Sequence, residues 1–457
     1  MPDRFNAEWR GGKPLLDPEA IVAVRWGMLK AACGGWRALV LGVLGWGLPL
    51  LGSDWPQWRG PVRDGHADAT EVALNGLPAD PRVAWRLKLG AGWASPVVAG
   101  GRVFYLDSQD RREVLHAVAA SDGQEAWRAE VDAVMHDEQG PDGPRGTPLV
   151  HQGHVYVLSC LGELQCRRVT DGQLVWRTHF QKDFGSPWLG EDSVIPGAAE
   201  HGYTGSPVLA GGQLIACVGS TNGAGVVAFD PATGAVRWKS QDDLAAYAAP
   251  FFTVLNGEPQ VICFTVSGLV ALAPADGRVL WRVPLKTNYG RNCLTPVVVG
   301  DRVITGSYQS GLLGVQVSRL GSDWTASRVW TNREATMNFA SPVAVGGFVY
   351  GVGPQKNLVC VEAATGRLAW SQSGYFTSAA GNSFAALIVV GNRVLVTTDG
   401  GEVLLIAADS SACRELGRAQ VCGRTWSHPA YADGRLYLAD GISAAGVLRC
   451  VEIFGPR

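Results

Sequence analysis

The chain of 457 residues sets 39 Lys and Arg against 41 Asp and Glu, a net charge of −2. So even a balance leaves no concentrated basic footprint, which excludes a surface built for nucleic acid. Length alone allows two or three domains, but 59 glycines and 17 tryptophans point to many short strands, tight turns and large aromatic anchors.

The first element in chain order is an apolar run, RALVLGVLGWGLPLLG from Arg37 to Gly52, with Lys30 and Arg37 supplying positive charge before it. Its uncharged core of about fifteen residues suits the hydrophobic region of a signal peptide and is short for a bilayer span of roughly twenty. Pro49 and the interspersed glycines make it a poor buried helix. Residues 1–53 are therefore expected to be a signal peptide or an uncleaved N-terminal anchor, with Met28 as an alternative start. The remainder is expected to be exported, in the periplasm or at the cell envelope. Residues 54–80 open with DWPQWRGP. Trp55 and Trp58 are expected to lay this segment on the body of the protein, and Arg59 to bridge to a carboxylate.

Residues 81–457 repeat. DGQEAW, DGQLVW, TGAVRW, DGRVLW and TGRLAW each end in a tryptophan four residues after a turn glycine, at Trp127, Trp176, Trp238, Trp281 and Trp370. Asp-Gly and Thr-Gly favour hairpin turns because glycine accepts positive φ. Strand alternation then sends each tryptophan to an equivalent face. Trp330 and Leu416 read as degenerate copies, and Trp85 as an orphan copy before the first full unit. Strand openings ASPVV, GTPLV, GSPVL, AAPFF, LTPVV, ASPVA and SHPAY, with SFAALIV as a proline-free copy, recur in phase. Each precedes a second strand such as GRVFYL or GHVYVL.

The result is eight units at spacings of roughly 42 to 59 residues, each with room for four strands, which predicts an all-β, eight-bladed β-propeller. The last unit stops after its third strand at VLRCVEIF. The orphan strand around Trp85 is its missing fourth, so an N-terminal strand closes the ring and leaves few open edges.

The ten cysteines read as small hydrophobes rather than as a disulfide framework. Cys166, Cys360 and Cys450 occupy a third-strand position that holds Ala117, Ala228 and Ala271 in other units. Cys413 and Cys422 are the one pair that a hairpin could join. No Cys-x-x-Cys pattern, His-Glu-x-x-His or G-x-S-x-G elbow occurs. In a propeller the loops entering the inner strands line the mouth of the central channel. The residues three or four before each opening proline, or its equivalent, form a candidate ligand ring: Trp93, Arg145, Tyr203, Tyr247, Asn292, Asn338, Asn382 and Trp426. Aromatics, amides and one arginine suit a planar or anionic ligand, a sugar chain or a peptide.

The LxA…(D/T)G-x-x-x-W repeat resembles the PQQ-type propeller repeat, shared by quinoprotein alcohol dehydrogenases and the noncatalytic BamB assembly factors. DWPQWRGP, RDG (Arg63 to Gly65), GPRGTP (Gly143 to Pro148), KDFG (Lys182 to Gly185) and HGYTGSP (His201 to Pro207) resemble motifs of a group of exported PQQ-like propellers. The dehydrogenase resemblance implies pyrroloquinoline quinone with calcium, an aspartate base and adjacent cysteines bridged over the cofactor. The chain has no Cys-Cys pair and no carboxylate among the ring positions. Asp137, Glu138, Asp183, Glu191 and Asp192, in the two longest loops (Asp132 to Arg145 and Gln181 to His201), are the acids placed to reach inward. The expectation is a scaffold with no catalytic residues, metal or cofactor. It would hold a protein or peptide partner in the cell envelope, as BamB-like proteins do in outer-membrane protein assembly, and meet the membrane only through its N-terminal segment or a partner. The alternative is a PQQ-dependent oxidoreductase with an atypical site.

Overall fold

The computed structural model describes residues 53–71, 74–137, 140–187, 198–308, 310–378, 383–441 and 446–453. The segment expected to be a signal peptide or anchor, residues 1–53, lies outside the described residues except for Ser53. No helix among them is long and apolar enough to cross a membrane.

Eight four-stranded antiparallel sheets form the blades of a β-propeller, as the repeats require. Blade 1 comprises Val97–Ala99, Arg102–Gln109, Arg112–Ala119 and Glu125–Ala133. Blades 2 to 7 follow in the same order, from Leu149–His151 to Glu415–Gln420. Blade 8 takes three strands from the C-terminus, Ala430–Ala432, Arg435–Ala439 and Val447–Glu452, and its outer strand, Arg82–Lys88, from the N-terminal side. In that closing pair Trp85 faces Cys450 and Lys88 faces Val447. The sheet edge left by the last unit is thus paired.

The repeated tryptophan locks each blade to the next. Its indole covers the hairpin glycine of the following blade: Trp85 lies on Gly123, Trp127 on Gly172, Trp176 on Gly234, Trp238 on Gly277 and Trp330 on Gly366. Each indole N–H donates to a carbonyl in that same turn, from Trp85 to Ala120 at 3.0 Å, Trp127 to Val169 at 2.9 Å and Trp176 to Pro231 at 2.9 Å. A large apolar ring and one polar tip are both satisfied by a turn that only glycine can complete. Trp330, despite its degenerate spacing, makes the full contact, donating to Ala363 at 3.1 Å.

The exceptions have local causes. Blade 5 has a hairpin of two ten-residue strands, Gly311–Leu320 and Asp323–Asn332. Nothing lies within 4 Å of a side chain built on its Gly321, and Trp281 instead donates to Gln260 at 2.7 Å within its own blade. Blade 7 carries Leu416 because blade 8, whose outer strand is the N-terminal one, has no such hairpin to cover. Leu77 of the connecting segment packs in the same cluster as Leu416.

The small third-strand residue is squeezed across three strands between an aromatic or aliphatic partner and the tryptophan. Cys166 pairs with Tyr156 and Trp176, Cys360 with Tyr350 and Trp370, and Ala228 with Ile215 and Trp238. A thiol fits where an alanine fits. The nine cysteines among the described residues are all free thiols, so Cys413 and Cys422 are not joined.

Candidate functional site

The inner strands converge on the central channel, and a serine before the opening proline stitches neighbouring blades there. Ser206 Oγ accepts from the Thr147 N–H, Ser341 Oγ from Thr295 and Ser95 Oγ from His428. These bonds hold the channel-facing loops in one register around the ring.

The N-terminal segment closes one end of this channel. Trp55 pairs its backbone with Val98 of blade 1, and Val150 of blade 2 donates to the Pro56 carbonyl. Arg63 donates to the carbonyls of Pro207 at 2.7 Å and Ser206 at 2.9 Å in blade 3. The Trp58 indole donates to Thr295 Oγ1 at 2.9 Å in blade 5, and Arg59 donates to the Pro342 carbonyl in blade 6. Gly65 and Ala67 then pair with Val389 of blade 7.

Trp55, Arg59 and Arg63 are fully buried. Arg59 also reaches the Asp64 carbonyl at 3.1 Å, so carbonyl oxygens, rather than the carboxylate expected from sequence, receive its side-chain bonds. Both arginines sit at positive φ, 60° and 66°, a conformation held by their anchored side chains. Burial draws their guanidinium pKa values down to about 10 and about 9, in Arg63 with a further contribution from Arg59; both stay charged at neutral pH. Burial, helped by the charge of Arg59, keeps His428 neutral, with its pKa lowered to about 4.

Beyond Trp58, toward the loops that enter the inner strands, lies a cavity of about 380 Å³. One wall is aromatic. Trp426 packs against Trp93 with centroids 5.0 Å apart, against Phe339 at 5.4 Å and against Phe384 at 6.0 Å. The facing wall carries a chain of charges. The Arg145 guanidinium lies over the Trp93 ring at 5.0 Å and forms a buried ion pair with Asp137 at 2.6 Å. His201 Nδ1 lies 3.2 Å from Asp137, and its Nε2 lies 3.1 Å from Arg291 and 3.3 Å from Glu200. Arg291 in turn pairs with Glu200 at 2.7 Å. Arg145 further donates to the His201 carbonyl at 2.8 Å, tying the GPRGTP and HGYTGSP stretches together.

Of the eight ring positions read from sequence, Trp93, Arg145, Tyr247 and Trp426 line this cavity. Tyr203 is buried behind it, its hydroxyl donating to the Val218 carbonyl at 2.9 Å. Asn292 is fully buried and structural. Its amide donates to Thr265 at 2.7 Å and its backbone carbonyl accepts from Tyr247 and Ala248. Asn338 lines a separate, smaller pocket with Tyr308 and Ser383, and Asn382 lies outside the described residues. Spacing from the opening proline could not separate these cases, because one residue of offset turns a side chain from the channel into the blade.

Of the loop acids, Asp137 does reach the cavity. Asp183 bonds the His179 N–H and the Thr178 hydroxyl beside the short helix Phe180–Phe184. Glu138, Glu191 and Asp192 lie outside the described residues. Sequence reasoning missed Trp58, His201, Arg291, Phe339 and Phe384. The HGYTGSP motif was the available signal for His201, and DWPQWRGP for Trp58; Arg291, Phe339 and Phe384 carry none beyond lying just before an inner strand.

The molecule is a closed eight-bladed propeller of PQQ-type repeats whose channel is open at one end. The chain belongs to the family described as outer membrane protein assembly factor BamB, whose model matches residues 111–372. It is 23% identical over 365 residues to the outer membrane protein assembly factor BamB of Shewanella oneidensis, covering 68% of this chain and 85% of that one. Among solved structures, BamB from Moraxella catarrhalis superposes with a TM-score of 0.54 at 14% identity, covering 81% of this chain and 99% of that one. The quinohemoprotein alcohol dehydrogenase from Comamonas testosteroni superposes at 0.60 with 14% identity, covering 89% and 81%. Similarity at this level establishes the shared fold.

Proposed function

We propose that the protein is a noncatalytic scaffold of the cell envelope that holds a protein or peptide partner, in the manner that the name of its BamB relatives implies for outer-membrane protein assembly. The observation that carries this reading is the state of the acids at the channel mouth. Asp137 is engaged by Arg145 and His201, and Glu200 by Arg291. A general base needs a lone pair free for substrate, and these oxygens are already neutralised by guanidinium groups.

A calcium-bound quinone would have to be held by the same residues. Calcium over a quinone requires several carboxylate and amide oxygens together. Among the described residues no three His, Cys, Asp or Glu side chains converge as metal ligands, and a cation beside Asp137 would compete with Arg145. The donor set does not fit a calcium-bound quinone.

Loops on a rigid scaffold are the natural place for partner contact. The stretch Asp132 to Arg145, described except for residues 138 and 139, has its end pinned to the channel by the Asp137–Arg145 pair. The test is site-specific photo-crosslinking from this loop in the full chain, in envelope fractions. One discrete protein adduct, lost when neighbouring loop residues are substituted, is the expected result. No adduct, together with dye reduction that depends on pyrroloquinoline quinone and calcium, overturns the reading in favour of an oxidoreductase.

A further inference from the structure

We infer that the plugged end of the propeller is a lipid-facing surface, which rests on a phospholipid bilayer through the long hairpin of blade 5. In a blade of four antiparallel strands, the turns after the first and third strands lie at one end of the ring. The connections into the next blade lie at the other end, with the channel mouth. Ser53 and Asp54 are fixed at the turn end. The Ser53 N–H donates to Asp433 Oδ1 at 2.9 Å in the first turn of blade 8, and the Asp433 N–H donates to Ser53 Oγ at 3.1 Å. The Gly100 N–H, in the first turn of blade 1, donates to Asp54 Oδ1 at 3.0 Å.

In the sequence, the apolar run Arg37 to Gly52 stops at the residue before this fixed point. No linker intervenes, and each residue spans at most about 3.6 Å. A run held in a bilayer therefore brings the turn end of the ring to the lipid headgroups.

That end carries the apolar surface such a contact needs. From the Gly314–Trp330 pair the third strand of blade 5 runs on to Leu320, whereas from the equivalent Cys166–Trp176 pair of blade 2 it stops at Arg168. The difference is about 13 Å of additional ladder. The tip is open: Leu320 is 87% exposed. The base is held by blade 4, where Asn256 Nδ2 donates to the Val317 carbonyl at 3.1 Å and Arg319 pairs with Glu258 at 2.5 Å. The Arg319 guanidinium also lies over the half-buried Trp324 ring at 5.3 Å. A leucine beside a tryptophan and an arginine suits a bilayer surface: the aliphatic chain enters the acyl boundary, and the indole and guanidinium stay among the headgroups.

Val254, 59% exposed beside the first turn of blade 4, and Val62, 62% exposed on the plug, extend the apolar surface at this end. One exposed apolar side chain is ordinary; three at the end where the chain meets its apolar run are a contact surface. The outer turns of blades 1, 2 and 4 hold Asp122, Asp171 and Asp276, so the contact is apolar and does not depend on anionic lipid. The stretch Asp132 to Arg145 lies at the connection end and is left facing water. The inference goes beyond the scaffold reading and holds whatever partner that loop takes.

The test is fluorescence of the full chain reconstituted in phosphatidylcholine vesicles, with a dansyl amino acid placed singly at position 62, 254, 320 or 289. Tyr289 is the control, 64% exposed but in the connection that enters blade 5. Nitroxide-labelled phospholipid is expected to quench the label at 62 and 320 at least about threefold more than at 289, because interfacial side chains sit within ~5–10 Å of the headgroup boundary. Salt at about 0.5 M is expected to leave that ratio unchanged. Leu320→Asp is expected to keep the melting temperature and to lower quenching at 254 about twofold. Equal quenching at 320 and 289 overturns the inference, as does a ratio that collapses in salt. A label at 320 shielded from aqueous iodide yet not quenched by lipid assigns the hairpin to a second copy of the chain and overturns it too. So does a chain recovered from envelopes without Arg37 to Gly52 that fails to float with vesicles.

Discussion

Replacing Gly172 with alanine tests whether the tryptophan lock holds the ring together. Gly172 lies at φ +72°, and a Cβ there would stand 2.5 Å from Trp127 Cε3 and 2.9 Å from its Cδ2 and Cζ3. The left-handed backbone costs an alanine about 1 kcal/mol. The indole must also withdraw by about an ångström, an overpacking cost of about 1–3 kcal/mol. Its 2.9 Å bond to the Val169 carbonyl is stretched or lost with it, a further ~0.5–1.5 kcal/mol.

Gly153, in the inner hairpin of the same blade, provides the control. Its φ is +78°, but nothing lies within 4 Å of a Cβ placed there. Gly153→Ala therefore carries the backbone cost alone, about 1 kcal/mol. Gly172→Ala is expected to lose about 1.5–4.5 kcal/mol more than Gly153→Ala in urea denaturation followed by far-ultraviolet circular dichroism. Tryptophan fluorescence is a poor probe here because the substitution perturbs an indole directly. Equal losses in the two variants, within about 0.5 kcal/mol, would refute the claim that the turn glycine exists to receive the tryptophan.

Arg63→Ala is expected to destabilise the protein by about 2–4 kcal/mol by leaving the Ser206 and Pro207 carbonyls unpaired. Arg63→Lys should recover less than half of that loss, since an ammonium cannot fork onto two carbonyls; thermal melts of both variants check this. Stability should also depend on pH at both ends. Burial raises the Glu113 carboxyl to about 8, above its unfolded value near 4.5, so the native state favours the protonated form and stability falls as pH rises from 4.5 through 8. His428, held to about 4 by burial and Arg59, takes up a proton more readily when unfolded, so stability falls as pH drops from 6.5 through 4. Melting temperatures should peak between about pH 4.5 and 6.5, and Glu113→Gln should remove the alkaline decline. Native thiol titration should label at most the half-buried Cys293 and Cys413, while denaturant should expose all nine described thiols; a protected pair in denaturant would contradict the absence of a disulfide.

Much of the fold was legible because its signals are local. A turn glycine and a tryptophan four residues later act through one hairpin and one strand period, so the sequence alone places Trp127, Trp176 and Trp238. Even the closing strand could be read, because a unit that ends after its third strand leaves one sheet edge that Trp85 alone resembles. Trp281 has the spacing of an ordinary copy, yet the length of the hairpin in the neighbouring blade decides what a tryptophan can reach.

By its own pattern the sequence determined the blade number, the ring closure and the small residue between each aromatic pair, because these follow from strand alternation and turn chemistry within about fifty residues. Only the tertiary structure decided that Arg59 and Arg63 bury their charges against strand-opening carbonyls, and that Trp58 becomes the floor of a cavity. It also decided that Asp137, His201 and Arg291, from three separate blade connections, form one chain of charges. Those contacts join residues up to 283 positions apart. Their geometry is set by how eight blades pack around one axis, and no periodicity along the chain encodes which side chains meet there.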